Sequence, residues 1–458
     1  MHETKERLKK WIPLLSVLPF FTGTVGYTLA GERLLDALYF SFSLYFVNLV
    51  SDASNPLIEA ARWGAALVTT TAVLYALKRV WTRIQWAALC LHPDSVAVYC
   101  GQEDQVVFPG KRSGVLYPGR EFRPGAKSHI ILLETDAASL GFYEAHQKQL
   151  EKHRVYIALR ELDRGFLRDV PGVVFFDING AIARLLWKSI RLWQKKTNQF
   201  NIVIWGGGHL GQTILNYGLL LNLFSLEQQI SYHLTGNTTL YQISHALFRP
   251  ENGDTISFHD TDSDRAWEAV RQADLVILAE DASAERLQAL RTACQTGTVY
   301  YYASSEGDEG AYLKFSRLFP FGADQEIYRD PYIRGETLVQ AAKEQHYAYL
   351  NAETAAAETP DTAWQKLDGF TQWSNISSVD FQEVLRDLSG LELEVLAELE
   401  HIRWSRFYTL SGWRFGIPAS GENRDIEEKI HKNLLPYKEL PPSEKEKDRA
   451  LIRRILGG

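Results

Sequence analysis

The sequence lacks several features that would define a protein class. Only three of its 458 residues are cysteine and only one is methionine. Because Cys90, Cys100 and Cys294 have no paired spacing, neither a disulfide framework nor a zinc site is indicated. Basic residues are not in excess, with 49 against 56 acidic ones, so composition predicts no nucleic-acid partner. No nucleophile elbow, Walker loop or kinase signature occurs, which disfavours an enzyme.

Long runs without charge occur near the start of the chain. The first, Trp11–Ala30, has the roughly 20 residues needed to cross a bilayer core. The second, Ala37–Val50, is short for a span and suits a re-entrant helix. The third, Trp63–Leu77, can be extended back to Leu57 if the charged residues Glu59 and Arg62 are included. The lipid bilayer is therefore the first predicted partner.

Flanking charges predict how these runs are oriented. Lysine and arginine precede the first run and follow the third, at Lys5, Arg7, Lys9, Lys10, Lys78, Arg79 and Arg83. By the positive-inside rule both termini are cytoplasmic, which requires two spans in an inner (plasma) membrane. Two alternatives stay open: a signal peptide cleaved near Thr28-Leu29-Ala30, and a plain two-helix anchor.

The segment "LLDALYFSFSLYFVNLVSDASNP" resembles the pore of two-transmembrane ion channels, in which an acidic residue and "ALYFS" open the pore helix. The resemblance implies a homo-tetramer and places the filter at about 46–52, with Phe46, Val47, Asn48 and Asp52 as pore candidates. This stretch has no glycine, whereas a potassium filter needs carbonyl rings from a glycine-containing loop. Thr24-Val25-Gly26-Tyr27 copies part of that filter but precedes the pore helix, so we interpret it as the outer end of the first span.

After Lys78 the pattern changes to alternating strands and helices, which predicts Rossmann-like α/β domains at 87–198 and 199–328. Predicted strands of the first domain are Ser95–Cys100, His129–Thr135, Val155–Leu159 and Val173–Asp177, followed by a helix at Ala181–Thr197. Arg184, Lys188, Arg191 and Lys195 are expected on a solvated face of that helix, with a lipid-headgroup or anion contact as the alternative. The acidic turn Cys100–Asp104 would repel phosphate, so this domain is interpreted as scaffold.

A glycine turn marks the second α/β domain. "FNIVIWGGGHLGQTILNYGLLL" reads as a strand, Gly206-x-Gly208-x-x-Gly211 and a helix, the arrangement that binds nucleotide phosphates. Gly206, Gly208, His209 and Gly211 are the predicted nucleotide-binding residues. The ribose-binding carboxylate expected about 20 residues later is missing, since that region reads Tyr232–Asn237. NAD, another nucleotide and a purely structural turn all remain open.

Tandem domains of this kind behind a two-span pore resemble the RCK (TrkA-N) domains of potassium channels and transporters, over roughly 90–325. In that family the domains form a cytoplasmic gating ring, and ligand binding there acts on the inner helices. The resemblance therefore implies ligand gating.

The C-terminal part is predicted as a helical linker at 329–388 with a polar loop at Asn351–Thr362, then a domain at 389–458. "LAELEHIRWSRFYTLSGWRFG" and "KIHKNLLPYKELPPSEKEKDRALI" closely resemble the ryanodine-receptor (RyR) domain, a small helical module repeated in animal calcium-release channels. Charged and aromatic residues there could hold a planar anionic ligand or could form the core; they are Glu400, His401, Arg403, Trp404, Trp413, His431 and Tyr437.

The sequence thus predicts a multidomain fold: an α-helical two-span membrane region with a pore-like re-entrant helix at 1–86, two Rossmann-like domains, and a mostly helical RyR domain. The expected function is a ligand-gated membrane channel that senses a nucleotide-derived ligand, with a role in bacterial stress or phage defence by analogy of architecture alone. The alternatives are an anchored nucleotide-binding sensor without conductance and an anchored NAD-dependent enzyme.

Overall fold

The chain is described here by a computed structural model. It describes residues 2–48, 50–101, 106, 108, 114–162, 167, 170–246, 248–280, 283–303, 317–334, 336–350 and 359–457. Most of the predicted acidic turn at Cys100–Asp104 and of the polar interval at Asn351–Thr362 lies outside these residues. The chain divides into two compact units, Met1–His92 and Pro93–Gly458.

The N-terminal unit consists of two long helices and a short one. They are α1 (His2–Leu29), α2 (Leu34–Ser43) and α3 (Pro56–Leu91), and a 3₁₀ turn at Leu44–Phe46 continues α2. The Asn55 side chain caps α3 by accepting hydrogen bonds from the backbone N–H groups of Leu57 and Ile58 at 3.0 and 2.9 Å. Within the described residues, α3 is the one helix long and apolar enough to cross a membrane by length and composition. The two-span topology therefore stays a prediction.

Small residues bring these helices into close contact. A Cβ atom on Gly23 would lie 2.9 Å from the Ser41 hydroxyl of α2, and one on Gly26 would lie 2.8 Å from Ile58 of α3. Tyr27 is only 1% exposed and packs edge-on against Phe40. The stretch that copies part of a potassium filter is therefore a helix-packing surface within α1.

The first α/β domain contains a fully parallel five-stranded sheet in the order β2-β1-β3-β4-β5. Its elements are β1 (Val96–Cys100), β2 (Val115–Leu116), β3 (Ser128–Leu132), α4 (Asp136–Leu150), β4 (Arg154–Leu159), β5 (Val173–Asp177) and α5 (Ile178–Ile190), followed by a 3₁₀ turn at Leu192–Gln194. β1, β3 and β4 are almost wholly buried, as expected for a parallel sheet.

The second α/β domain has six parallel strands in the order β11-β10-β9-β6-β7-β8. Counted within the domain this is the 3-2-1-4-5-6 order of the Rossmann fold. Its elements are β6 (Gln199–Trp205), α6 (His209–Leu221), β7 (Gln229–Thr235), α7 (Thr239–Ser244), β8 (Thr255–His259), α8 (Asp264–Arg271), β9 (Leu275–Leu278), α9 (Ala284–Ala293), β10 (Thr298–Tyr302) and β11 (Leu318–Phe321). The prediction of two Rossmann-like domains is confirmed. In the second domain the sequence predicts further strands at Gln229–Leu234, Asp274–Ala279 and Thr298–Ala303, and strands β8 and β11 fall outside them.

The C-terminal region is mostly helical. It contains α10 (Asp324–Ile327), α11 (Asp330–Ile333), α12 (Glu336–Tyr347), α13 (Pro360–Gln365), α14 (Gly369–Asp387), α15 (Leu393–Leu410) and α16 (Pro442–Ile455), with a 3₁₀ turn at Tyr437–Glu439. A small sheet of two-residue strands joins β12 (Arg414–Phe415), β14 (Ile430–His431) and β13 (Arg424–Asp425). One buried apolar cluster runs from the first sheet through α5 and α6 into α14 and α15.

The basic side of α5 is not the solvated face that we expected. Arg184 and Lys188 both approach the carboxylate of Asp380 on α14, at 3.6 and 2.9 Å, and the Asp380 side chain is only 5% exposed. Arg191 pairs with Glu383 on the same helix at 2.9 Å. The helix also ends earlier than predicted, because Arg191 adopts a left-handed conformation with φ 51°. These residues join the first α/β domain to the C-terminal helices.

Candidate functional site

The glycine turn adopts the conformation that a Rossmann strand–helix junction requires. Gly206 has φ +117°, a conformation that glycine accommodates without strain. A Cβ atom on Gly211 would overlap the carbonyl oxygen of Gly206, so Gly211 allows α6 to pack closely on the turn. Gly208 caps the N-terminus of α6 and has open space around it.

One side of this turn is closed by the loop that follows β7. A Cβ atom on Gly236 would lie 2.6 Å from the backbone nitrogen of Gly207, and one on Gly207 would lie 3.0 Å from Thr238. In a dinucleotide site, the ribose occupies the space between the glycine turn and the end of this second strand. The close main-chain contact narrows that space, and β7 ends in Thr235 and not in a carboxylate.

His209 begins α6 and contacts the first α/β domain. Its Nδ1 atom lies 3.0 Å from the side-chain amide nitrogen of Asn179, at the start of α5. If that amide donates, Nδ1 accepts and the proton of the neutral ring is on Nε2. His209 therefore joins the glycine-turn helix to the first α/β domain.

Asp136 stands where a ribose-binding carboxylate would be expected in the first α/β domain, after β3. Its carboxylate accepts hydrogen bonds from the backbone N–H groups of Arg160, Glu161 and Leu162, at 2.7, 2.9 and 2.8 Å. The side chain is thus used to fix the loop after β4, which agrees with a scaffolding role for this half.

In the RyR region, Glu400 and Arg403 form a buried ion pair within one turn of α15. Arg403 donates from Nε and Nη2 to the two carboxylate oxygens of Glu400, both at 2.8 Å, and from Nη1 to the Ser377 hydroxyl at 3.0 Å. Ser378 donates to the same carboxylate at 2.9 Å. These two charges are satisfied by each other and by α14.

The aromatic candidates of the RyR region stack around the same helix. The His401 ring lies over Trp404 at 5.5 Å and its Nε2 contacts the Leu435 carbonyl at 2.8 Å. His431 meets Trp404 edge-on at 4.9 Å. Trp413 and Tyr437 are 5% and 4% exposed, and Trp413 stacks on Phe370. The predicted pocket residues are therefore brought together mainly as packed side chains.

Burial controls the ionisation of this cluster. It lowers the pKa of His401, and together with the charge of Arg424 it lowers the pKa of His431 to about 4. Burial, followed by repulsion from Glu400, raises the pKa of Asp448 to about 8. His401 Nδ1 lies 3.6 Å from the Asp448 carboxyl, so two neutral groups face each other at neutral pH.

The pore candidates follow the 3₁₀ turn of the N-terminal unit. Phe46 and Val47 are 71% and 75% exposed, and Asn48 is exposed as well, while Asp52 lies before α3 among residues with no assigned helix or strand. Val47 has φ 54°, a left-handed conformation that β-branched residues rarely adopt.

A cavity of about 400 Å³ lies where the two α/β domains meet the C-terminal helices, and sequence reasoning did not find it. Its walls come from the end of β5 and from α5, α6, α12, α14 and α15. His209 is the one predicted site residue that lines it. The other polar lining residues, such as Arg184, Asn216 and Asp380, are spread along the chain from Glu161 to Ser411 and share no motif, so only folding brings them together.

A more open depression of about 610 Å³ lies between α8 and α9, lined by surface side chains such as Arg271 and Gln288. Among the described residues, no group of three or more histidine, cysteine or acidic side chains could hold a metal ion.

The fold and these sites define a multidomain protein with two Rossmann-like domains and a C-terminal helical region. Within it, residues 375–457 match the RyR domain family, which confirms the prediction of a RyR domain. The matched range includes most of α14. No curated protein matches the chain. A solved structure from a study of bisubstrate glycomimetics of trehalose-6-phosphate synthase is 12% identical over 82% of this chain and 86% of that chain. Its TM-score is 0.19, so it has no bearing on fold or function.

Proposed function

We propose that the chain is a membrane channel, assembled as a homo-tetramer, whose C-terminal unit senses a nucleotide-derived small molecule. The observation that carries this proposal is the arrangement of the N-terminal unit. The short helix α2 packs against α1, and the 3₁₀ turn that continues it packs against α3; the described residues between that turn and α3 form no helix or strand, as in pore regions.

Polar contacts hold the chain on both sides of the connection between the 3₁₀ turn and α3, which supports a pore loop. Thr69 of α3 donates to the backbone carbonyl of Tyr45 at 2.7 Å. Tyr45 itself donates to the carbonyl of Ser16 at 2.6 Å. At the other end, Arg62 contacts the carbonyl of Ala53 at 3.0 Å and pairs with Glu59 at 2.6 Å. A loop of defined shape is what ion selection requires.

The outer surface of the N-terminal unit supports a lipid or subunit environment. Most of the large apolar side chains exposed in the described chain belong to this unit, among them Leu18, Phe21, Leu35, Trp63 and Leu67. Apolar patches of this extent are costly in water and mark membrane or protein interfaces. One chain contributes too few helices to enclose a pore, so a tetramer is proposed.

Gating needs a ligand that binds the open and closed states with different affinities. The two Rossmann-like domains and the RyR domain supply the sensing part of the proposal, since α15 packs against α6 of the second α/β domain. A ligand bound beside either helix would act on both domains.

A membrane-anchored sensor without conductance is the second candidate. It is favoured by the chemistry of the 46–52 segment, where Phe46 and Val47 present apolar side chains and no glycine occurs.

Flux through liposomes that contain the purified full chain separates the two candidates. We expect a panel of nucleotides to include one that opens a cation or anion flux, and Asn48→Leu or Asp52→Asn to change its selectivity. Thr28→Val, on an exposed part of α1, is the control and should leave selectivity unchanged. No flux with any nucleotide would rule out the channel and leave the anchored sensor.

A further inference from the structure

The cavity at the junction of the three domains has the position and size of a ligand site. Its volume of about 400 Å³ is within the range of pockets that hold small molecules, roughly 300–1,000 Å³. Its lining includes residues 174–177 of β5 and so reaches the carboxyl end of that strand, the end of a parallel sheet where ligands bind. The glycine turn, by comparison, is partly closed by the loop at Gly236.

One end of the cavity carries a nearly buried cation, Arg184. Its side chain is only 11% exposed and lies 3.6 Å from Asp380, whereas Lys188 approaches Asp380 more closely, at 2.9 Å. Asp380 is thus shared between two cations, and the five N–H donors of the Arg184 guanidinium exceed what one shared carboxylate accepts. Arg184 can therefore bind an acidic group on a ligand.

The other end is acidic. Asp177 and Glu161 line the cavity beside His209. Asp177 precedes α5 and lies seven residues before Arg184, so the helical rise places the two roughly 10 Å apart. Carboxylates at this end can accept hydrogen bonds from hydroxyl or amino groups. The aromatic side chains of Tyr332 and Trp373 also line the cavity and suit contact with a flat ring.

We propose that this cavity is the ligand site of the C-terminal unit and binds a nucleotide-like molecule, with its acidic group on Arg184, its ring against the aromatic side chains and its hydroxyl or amino groups toward Asp177 and Glu161. The inference rests on the proposed sensing role and deepens it, because it places the ligand outside the glycine turn. It does not depend on conductance.

Calorimetric titration of the purified full chain in detergent tests the proposal, with AMP as the probe and adenosine as its uncharged counterpart. We expect AMP to bind at least tenfold more tightly than adenosine. Arg184→Gln should weaken AMP binding by roughly 10- to 100-fold, the effect of a charged hydrogen bond, and leave adenosine unchanged. Arg191→Gln is the matched control, since Arg191 belongs to the same cluster but is outside the cavity lining, and it should not change binding.

Two further variants distinguish the cavity from the glycine turn. Val339→Phe adds an apolar ring to the α12 wall and should abolish binding of both probes. Gly208→Asp introduces a charge that would repel phosphate at the turn, yet aspartate is a favoured helix cap and the position has open space. It should leave AMP binding unchanged.

Photolabelling of the wild-type chain with 8-azido-AMP identifies the residues beside the bound nucleotide and does not depend on whether a variant folds. Labels on α5, α12 or α14 are expected, and labels on residues 206–208 or 236–238 would overturn the proposal. Failure of millimolar AMP to bind, or binding lost in Gly208→Asp but kept in Val339→Phe, would also overturn it. AMP bound in the cavity without any liposome flux would refute the channel alone, whereas a nucleotide-opened flux that survives Val339→Phe would refute the cavity alone.

Discussion

Arg406 of the RyR domain and Asp254 of the second α/β domain form an ion pair at 2.9 Å, and neither side chain is exposed at all. Arg406 also donates to the backbone carbonyl of Leu219 at 2.9 Å, at the end of α6. Asp254 receives a further hydrogen bond from the backbone N–H of Ile230 at 2.9 Å. Burial raises the pKa of Asp254, although Arg406 and Ile230 oppose this. The pair fixes helix α15 to the Rossmann sheet.

Removing one partner of this pair should be far more costly than removing both. Arg406→Met leaves Asp254 buried without its cation, and we expect the free energy of unfolding to fall by about 3–5 kcal/mol. Urea unfolding followed by tryptophan fluorescence measures this, because Trp187 and Trp205 are fully buried in the same unit. Arg414→Met is the control. Arg414 forms an exposed ion pair with Glu428 at 3.4 Å, and losing it should change the free energy of unfolding by less than about 1 kcal/mol.

A double variant, Arg406→Met with Asp254→Leu, should recover part of the lost stability, because it removes the fully buried carboxylate that Arg406→Met leaves without a cation. Glu251, which also pairs with Arg406 at 3.3 Å, keeps its charge but is 34% exposed and stays hydrated. If the double variant is less stable than Arg406→Met, the ion pair is not the source of the effect.

Asp448 should make the RyR domain less stable as the pH rises. Its pKa is raised by burial from 3.8 to about 8, so between these values the folded chain keeps a proton that the unfolded chain has lost. Stability therefore falls with rising pH and levels off above about 8. The pKa of neighbouring His401 is lowered from 6.5, so its own contribution is constant above that value. Between pH 6.5 and 9 the change in stability that comes from this pair is therefore due to Asp448 and not to His401.

Asp448→Asn should remove this loss of stability with rising pH. The difference in melting temperature, variant minus wild type, should therefore be larger at pH 9 than at pH 6.5. Glu427→Gln, an exposed carboxyl in the same domain, should not alter the profile. A wild-type melting temperature that rises from pH 6.5 to 9 would contradict the argument.

The strands and the glycine turn could be predicted because they depend on local sequence. Runs such as Val173–Asp177 coincide with the observed strand, and the Gly206–Gly211 spacing matches a turn whose geometry only glycine permits. The RyR domain could be predicted equally well, since its motif is contiguous in the sequence. Strand β8 was missed, because its residues at Thr255–His259 are only partly buried and lack a strong apolar signal.

The contacts between domains could not be predicted, because they depend on residues far apart in sequence. The helical spacing of Arg184, Lys188 and Arg191 is typical of a solvated face. Only the structure shows that Asp380 and Glu383 lie opposite these side chains. The cavity beside Arg184 depends on the same contact. For the RyR residues, sequence alone left ligand binding and core packing open, and burial of Glu400 and Arg403 adds weight to packing.

Gly211 and Gly208 should respond very differently to the same substitution. Gly211→Ala places a Cβ atom against the carbonyl of Gly206, and the required shift of α6 should cost at least about 1–3 kcal/mol. Gly208→Ala meets open space, and replacing a glycine helix cap by alanine should cost less than about 1 kcal/mol. Thermal unfolding of both variants checks the difference. Equal losses would mean that α6 does not pack on the turn as described.

Val47 should be replaceable by glycine with a gain in local stability. Its left-handed backbone, φ 54°, ends the 3₁₀ turn and costs about 1–2 kcal/mol for a residue with a side chain. The extra backbone freedom of glycine in the unfolded state offsets about 0.5–1 kcal/mol of that gain. Hydrogen exchange of peptides covering 41–48 should therefore slow by about two- to fivefold in Val47→Gly. Val50→Gly is the control, since Val50 is outside the left-handed region, and exchange there should be unchanged or faster. Faster exchange in Val47→Gly would show that the Val47 side chain makes stabilising contacts that outweigh its backbone strain.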